Sequence, residues 1–313
     1  MSNVAGNSGI FEAAMPRFRY EALPTEKPNP GSRRLDSLSP LQIVALMNRE
    51  DRRVVRAVTG ARHQVARAIS VIVRALDSGG RLFFVGAGTS GRLGVLEAAE
   101  CPPTFDIPRS LVQAIMAGGR GAVFRSREGA EDRTGEARRA VGGRIRTGDV
   151  VVGIAASGVT PFVRAALAVA RRRGCHTVLV AMNARSPIRR LADIVIAPSV
   201  GPEVLTGSTR LKAGTATKMI LNMLTTGAFV RLGKTYGNWM VDLQPRSRKL
   251  RARAEGLVQV LGQVSRSQAR RHLRAAGGRT KVAILMARRR ISARPAARLL
   301  SAAGGSLRRC LDA

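Results

Sequence analysis

The stretch Arg81-Leu-Phe-Phe-Val-Gly-Ala-Gly-Thr-Ser-Gly-Arg-Leu-Gly-Val-Leu-Glu-Ala-Ala-Glu-Cys-Pro-Pro-Thr104 decides the fold. A short apolar run ends in a glycine-rich turn, and a helical pattern follows. Gly86, Gly88 and Gly91 let the backbone turn sharply and come close to a ligand. The turn opens a helix whose first N–H groups and dipole favour an anion. Thr89 and Ser90 add hydroxyl donors at the same place. The stretch reads as a phosphate cradle built from Gly88, Thr89 and Ser90, with the carboxylate Glu100 carried further along the same helix.

The same letters satisfy GxGxxG, the dinucleotide fingerprint. That fingerprint also wants an acidic residue about 20 positions on, to hold a ribose hydroxyl. The next strand candidate, Leu111 to Met116, is followed by Ala117-Gly118-Gly119 instead. The missing acid and the Thr-Ser pair inside the turn favour a phosphorylated small molecule.

Working outward, the strand, turn and helix pattern recurs. Strand candidates are Leu82–Val85, Leu111–Met116, Asp149–Ala155, Thr177–Ala181 and Ile194–Ala197, with helical stretches between them. Short strands, apolar on both sides and separated by helices, predict a parallel sheet covered on both faces. The fold class is therefore α/β: a doubly wound, flavodoxin-like parallel sheet whose ligands sit at the carboxyl ends of the strands. Before the sheet, Leu41 to Met47 and Val54 to Leu76 carry helical spacing. After it, a long helix is expected over Leu211 to Val230, then a loop from Gly233 to Pro245 holding the only Trp, Trp239. Beyond Arg248 the pattern becomes short helices, with Leu273-Arg-Ala-Ala-Gly-Gly278 echoed by Leu300-Ser-Ala-Ala-Gly-Gly305. Each glycine pair reads as a helix C-terminal cap. The expected organisation is a mostly irregular arm over 1–40, an α/β domain over 41–247 and a small C-terminal helical domain over 248–313.

Composition narrows the class. At 313 residues and 45% hydrophobic content, the chain is long enough for a large α/β domain and an accessory unit. No window is apolar for long enough to span a membrane, and the first 20 residues lack the apolar core of a signal peptide. Cys101, Cys175 and Cys310 are scattered and odd in number, which fits a reducing, cytoplasmic setting rather than a disulfide framework or zinc site. His63, His176 and His272 show no metal-ligand spacing, so no metal is expected. The net charge of +33 would ordinarily point to nucleic acid. Of the 53 basic residues, however, 47 are Arg and six are Lys. They are dispersed and not interleaved with aromatics, even from Arg246 onward, where 18 of them face two acids. A solvated basic surface is the reading, and nucleic acid is not the expected partner.

Two further clusters carry chemistry. Val151-Val-Gly-Ile-Ala-Ala-Ser-Gly-Val-Thr-Pro161 repeats the strand-turn-helix design, with Ser157, Gly158 and Thr160 in the turn and Pro161 at a helix start. Ser157 and Thr160 can hold a phosphate or cap that helix. In Glu203-Val-Leu-Thr-Gly-Ser-Thr-Arg-Leu-Lys212, the hydroxyls of Thr206, Ser208 and Thr209 can cap the next helix, and Lys212 can meet an anion. With only 20 Asp and Glu in the chain, acid positions are telling. Glu97 and Glu100 are three apart, hence expected on one helix face. Glu128, Glu131 and Asp132 follow Gly118-Gly119. Carboxylates next to a phosphate have raised pKa values, which suits proton transfer near neutrality.

Taken together these strings resemble the sugar-isomerase (SIS) fold and, within it, the N-acetylmuramic acid 6-phosphate etherase family. The resemblance rests on Gly86-Ala-Gly-Thr-Ser-Gly-Arg-Leu-Gly94, Glu100-Cys-Pro-Pro-Thr104, Glu128-Gly-Ala-Glu-Asp132, Val152-Gly-Ile-Ala-Ala-Ser-Gly158, Thr206-Gly-Ser-Thr-Arg210 and Gly237-Asn-Trp-Met-Val-Asp242. Thr25-Glu26, Asn29, Ser32 and Leu35-Asp36 resemble the family's N-terminal signature. The resemblance implies cleavage of the D-lactyl ether of the sugar phosphate by elimination and water addition, with neither metal nor cofactor. Glu100 would be the acid that protonates the departing lactate, and Glu131 a second acid–base group acting at carbon 2. A homodimer with its site at the subunit interface is implied too. Val159-Thr-Pro-Phe162 stands where the family usually has Arg-Thr-Pro-Tyr, and Ser247 where Asn is usual. Two other readings stay open: a sugar-phosphate isomerase with Glu203 as base, and a non-catalytic sugar-phosphate-binding regulator like the glucokinase regulatory protein.

Overall fold

The computed structural model describes residues 20–243 and 247–312. Two long helices come first, α1 (Pro40–Gly60) and α2 (Arg62–Asp77). The chain then alternates through β1 (Leu82–Gly86), α3 (Gly88–Phe105), β2 (Val112–Met116), α4 (Gly121–Phe124), α5 (Thr134–Gly142), β3 (Val150–Ile154), α6 (Pro161–Arg172), β4 (His176–Val180), β5 (Ile194–Ile196) and α7 (Lys212–Arg231). The five strands form one parallel sheet in the order β2-β1-β3-β4-β5. The expected doubly wound sheet is present, with its strands displaced by a residue or two from the sequence reading.

The strands are buried on both faces because their side chains alternate between two cores. Leu82 and Phe84 of β1 join a cluster with residues of α1, α2, α3 and α7. Phe83 and Val85 point the other way, into a cluster with α5 and α6. That period of two lets a run of apolar residues serve both layers.

Two expectations change. The helical spacing of Leu41–Met47 and Val54–Leu76 belongs to α1 and α2, but the break falls at Ala61 and not near residue 50. The polar run Asn48 to Arg53 lacks Gly and Pro and continues the helix, and within it Glu50 is buried. The stretch after Gly233 is not all loop: β6 (Thr235–Tyr236) pairs antiparallel with β7 (Trp239–Met240). Pro245, its expected end, lies outside the described residues, as do residues 1–19 of the arm. The remainder of the arm holds only short 3-10 turns before α1.

The C-terminal helices α8 (Arg248–Gly262), α9 (Arg266–Ala275), α10 (Thr280–Arg289), α11 (Ala293–Ala302) and α12 (Leu307–Leu311) surround their own cluster, which Val241 and Leu243 join. Both glycine pairs are caps, as their sequence implies. Gly278 N–H donates to Leu273 O and Gly305 N–H to Leu300 O, each at 2.8 Å, and all four glycines have positive φ.

Candidate active site

β1 and β3 are neighbours, with Gly86 in register with Ile154, although a helix, a strand and more helices separate them in sequence. The chain reverses its direction of travel across the sheet between these strands. The turns that follow them therefore face each other where ligands of such sheets collect. In the first turn, a Cβ on Gly91 would lie 2.7 Å from Gly86 O and 2.9 Å from Met116 Cγ, so the close approach requires glycine. Gly88 adopts φ 53°, and no side chain caps the N-terminus of α3. Its first amides thus lack a side-chain acceptor. Thr89 and Ser90 stand half-buried beside them.

The second turn is held from behind. Gly158 has φ 75°, and a Cβ there would meet Ser186 Cβ at 2.7 Å. Ser186 Oγ donates to Gly158 O at 2.5 Å, and Asn183 Nδ2 to Ser157 O at 3.2 Å. Ser157 Oγ accepts only a long bond, 3.4 Å, from Val159 N. Thr160 occupies the N-cap position of α6, yet its side chain makes no capping bond. Capping therefore does not consume the Thr160 hydroxyl.

The third cluster reaches the first at Gly214, where a Cβ would lie 3.8 Å from Thr89 Cγ2 and 3.6 Å from Thr209 O. Ser208 and Thr209 are half-buried here. The expectation that Thr206, Ser208 or Thr209 caps α7 is corrected. Glu203 does so, its carboxylate accepting from Lys212 N at 3.0 Å and Ala213 N at 2.9 Å. A negative charge at a helix N-terminus is favourable. Glu203 is 1% exposed and both its oxygens are occupied, which leaves it unsuited to the role of isomerase base.

Lys212, read as a candidate ligand, is corrected as well. It does meet an anion, but an internal one: its ammonium lies 2.6 Å from Glu50, with both side chains buried. Asn29 Nδ2 donates to the same Glu50 oxygen at 2.9 Å and to Pro202 O at 3.1 Å. Burial pushes the Glu50 carboxyl up, but the bonds from Lys212 and Asn29 and the charges of Lys212 and Arg53 outweigh it, holding the group below its ordinary range. Thus the arm signature braces the loop that carries Ser208 and Thr209. No local signal in α1 singles out Glu50.

The carboxylates divide unexpectedly. A cleft of about 140 Å³ opens beside the first turn, lined by Gly88, Arg92, Met116, Arg127, Glu128 and Glu131 among others. The loop bearing Glu131 is seated by Ala130, which packs against Gly118, and by the Gly118 N–H, which donates to Glu136 at 3.2 Å. Burial, then the negative charges of Asp132 and Glu128, raise the Glu131 carboxyl above its ordinary value. Glu100 is not in this cleft. It follows Gly88 by about 18 Å along the axis of a regular helix. Nor do Glu97 and Glu100 share an environment. Glu97 is buried, 2.7 Å from Lys218 Nζ and 2.5 Å from Thr225 Oγ1 of α7. Glu100 is exposed, in a stripe with Leu96, Ala99 and Pro103. Three residues rotate a helix by about 300°, and the edge of the packed face falls between the pair. The described residues hold no cluster of side chains arranged for a metal ion, and none of their helices is long and apolar enough to cross a membrane.

Residues 64–171 match the glucokinase regulatory protein N-terminal SIS domain, and residues 132–227 the SIS domain. An N-acetylmuramic acid 6-phosphate etherase of Synechocystis sp. is 51% identical over 290 residues, covering 92% of this chain and 95% of that protein. One from Symbiobacterium thermophilum is 53% identical over 251 residues, covering 80% and 84%. Among solved structures, a phosphoheptose isomerase from Francisella tularensis is 14% identical with a TM-score of 0.47, covering 60% of this chain and 100% of that one.

Proposed function

We propose, from the premise that the chain belongs to the N-acetylmuramic acid 6-phosphate etherase family, that Glu131 and Glu100 are its proton-transfer pair. The reaction is cleavage of the D-lactyl ether of N-acetylmuramic acid 6-phosphate, giving N-acetylglucosamine 6-phosphate and D-lactate. The observation that carries the assignment is Glu131 itself. It lines the cleft beside Gly88 with its carboxyl raised by its surroundings, which suits a base that must both take and return a proton.

The phosphate rests on the amides at Gly88 and Gly158 and the hydroxyls of Thr89, Ser90, Ser157, Thr160, Ser208 and Thr209. These neutral donors bind a dianion through oriented dipoles. Anchored there, the sugar presents carbon 2 to Glu131. Glu131 removes that proton, and the electron pair left at carbon 2 is delocalised into the carbon 1 aldehyde of the open-chain sugar. The carbon 3–oxygen bond then breaks as the acid Glu100 protonates the lactate oxygen. Glu100, now a carboxylate, takes a proton from water as the oxygen adds to carbon 3, and Glu131 returns its proton to carbon 2.

Glu100 reaches such a sugar if two chains pair. The exposed stripe of Leu96, Ala99, Glu100 and Pro103 supports a homodimer in which this face of α3 covers the cleft of the second copy. The catalytic unit is the α/β portion over 41–247, with 248–313 as helical accessory and 1–40 as an arm that braces it through Asn29. The test is D-lactate release from N-acetylmuramic acid 6-phosphate. Formation of a ketose without lactate would instead place the chain among sugar-phosphate isomerases.

A further inference from the structure

Of the two arginines that line the cleft, Arg127 is exposed, and Arg92 is the one tied in place. It is half-buried on α3, one turn beyond Gly88, and lines the same cleft as Glu131. Its Nε donates to Val123 O at 2.9 Å and its Nη2 to Ala122 O at 2.9 Å. Those bonds fix the plane of the guanidinium but are to neutral carbonyls. Arg92 forms no ion pair among the described residues, and its Nη1 carries no hydrogen bond there. An arginine partly withdrawn from water, held rigid and left without a counter-charge, is arranged for an anion that arrives from outside.

Resting on the etherase reading above, we infer that Arg92 binds the carboxylate of the lactyl group and so makes the enzyme specific for a 3-O-carboxyalkyl ether. The substrate carries two anions. The phosphate is served by hydroxyls and amides at the N-terminus of α3, whereas Arg92 lies a turn further on, tied to the carbonyls of α4, in the cleft that Glu131 also lines. The carboxylate is attached through the ether oxygen at carbon 3, next to the carbon whose proton Glu131 takes, so it enters this side of the cleft. There it meets Glu128 and Glu131, and the fixed Arg92, together with the exposed Arg127, offsets their repulsion.

The test compares three ligands by calorimetry on Glu100→Gln protein, with and without Arg92→Gln. They are N-acetylmuramic acid 6-phosphate, the 3-O-ethyl ether of N-acetylglucosamine 6-phosphate, which lacks only the carboxylate and its carbon, and N-acetylglucosamine 6-phosphate. Arg92→Gln is expected to weaken the lactyl compound roughly 10–100-fold, the worth of one charge-assisted contact, and the other two by less than about threefold. An equal loss for all three would make Arg92 a phosphate reader or a strut, and no loss would make it a bystander; either result overturns the inference. Retained affinity for N-acetylglucosamine 6-phosphate reports an intact fold. Should Arg92→Gln not fold, Arg92→Lys keeps the charge and is expected to keep a preference for the lactyl over the ethyl compound; equal affinity for the two overturns the inference. Lactate release by the unaltered enzyme tests the etherase reading separately.

Discussion

The ammonium of Lys212 lies 2.6 Å from the carboxylate of Glu50, across 162 residues of sequence and inside the protein. Asn29 and the Pro202 carbonyl complete the cluster. It joins the arm, α1 and the start of α7 directly behind the loop that presents Ser208 and Thr209. The pair's consequence is stability and placement of that loop, since the lysine is buried against Glu50.

Lys212→Met is expected to destabilise the protein by about 3–5 kcal/mol, because it strands a buried carboxylate. Adding Glu50→Gln should recover part of that loss. Thermal melts of the single and double variants measure both. The folded Glu50 carboxyl lies below its ordinary value of 4.5, so its contribution is present above that pH and is lost as pH falls through the lowered value. A Glu50→Gln protein should accordingly lose less stability on acidification than its parent.

For Glu131 the shift is upward, caused first by burial and then by the charges of Asp132 and Glu128. As the base it must be ionised, so the acid limb of kcat/KM should lie above the ordinary glutamate value. Replacing Asp132 by Asn and Glu128 by Gln removes repulsion and favours the carboxylate. The acid limb should then move to lower pH. A limb that stays in place would detach Glu131 from the base role.

Mixing inactive proteins tests whether Glu100 acts across a subunit interface. Heterodimers of Glu100→Gln and Glu131→Gln contain one fully native site if the two groups come from different chains, and none if they come from the same chain. Random mixing should restore about a quarter of the native activity, half the dimers being mixed with one of their two sites intact. Activity no higher than the sum of the two variants would place both groups in one subunit.

Gly158→Ala is expected to weaken phosphate binding. Its φ of 75° and the 2.7 Å approach of Ser186 Cβ leave no room for a methyl group without moving the turn. Strain of roughly 1–3 kcal/mol is the usual cost of such a conformation. KM for the 6-phosphate should rise while the poor turnover of the unphosphorylated sugar changes little; a parallel change in both would mean that the turn does not contact phosphate.

The elimination route can be read from isotopes. In heavy-oxygen water the oxygen at carbon 3 of the sugar should carry label, and in heavy water deuterium should enter at carbon 2. Label confined to lactate, with carbon 2 unexchanged, would mean direct attack on the lactyl carbon.

Much of this molecule is legible along the chain because the relevant physics is local. Gly86, Gly88 and Gly91 announce a turn that no other residue could make, and the alternation of Leu82 to Val85 between two cores is a property of any strand covered on both sides. The Leu-x-Ala-Ala-Gly-Gly pairs give their caps in the same way. Glu131 is apparent from the sequence as an acid near other acids, since Glu128 and Asp132 lie within three residues of it.

What the sequence determined by itself is the set of elements, their order and the two hydroxyl-bearing turns, because strand alternation, helical period and glycine conformations act over a few residues. Tertiary structure alone decided which charges are paired inside the protein. Glu97 turned inward to Lys218, Lys212 to Glu50, and Glu203 to the amides of α7, while Arg92 was left with carbonyls only. The reason is that a buried charge must find its counterpart wherever the fold brings one, and partners such as Lys212 and Glu50 meet only once the helices have packed.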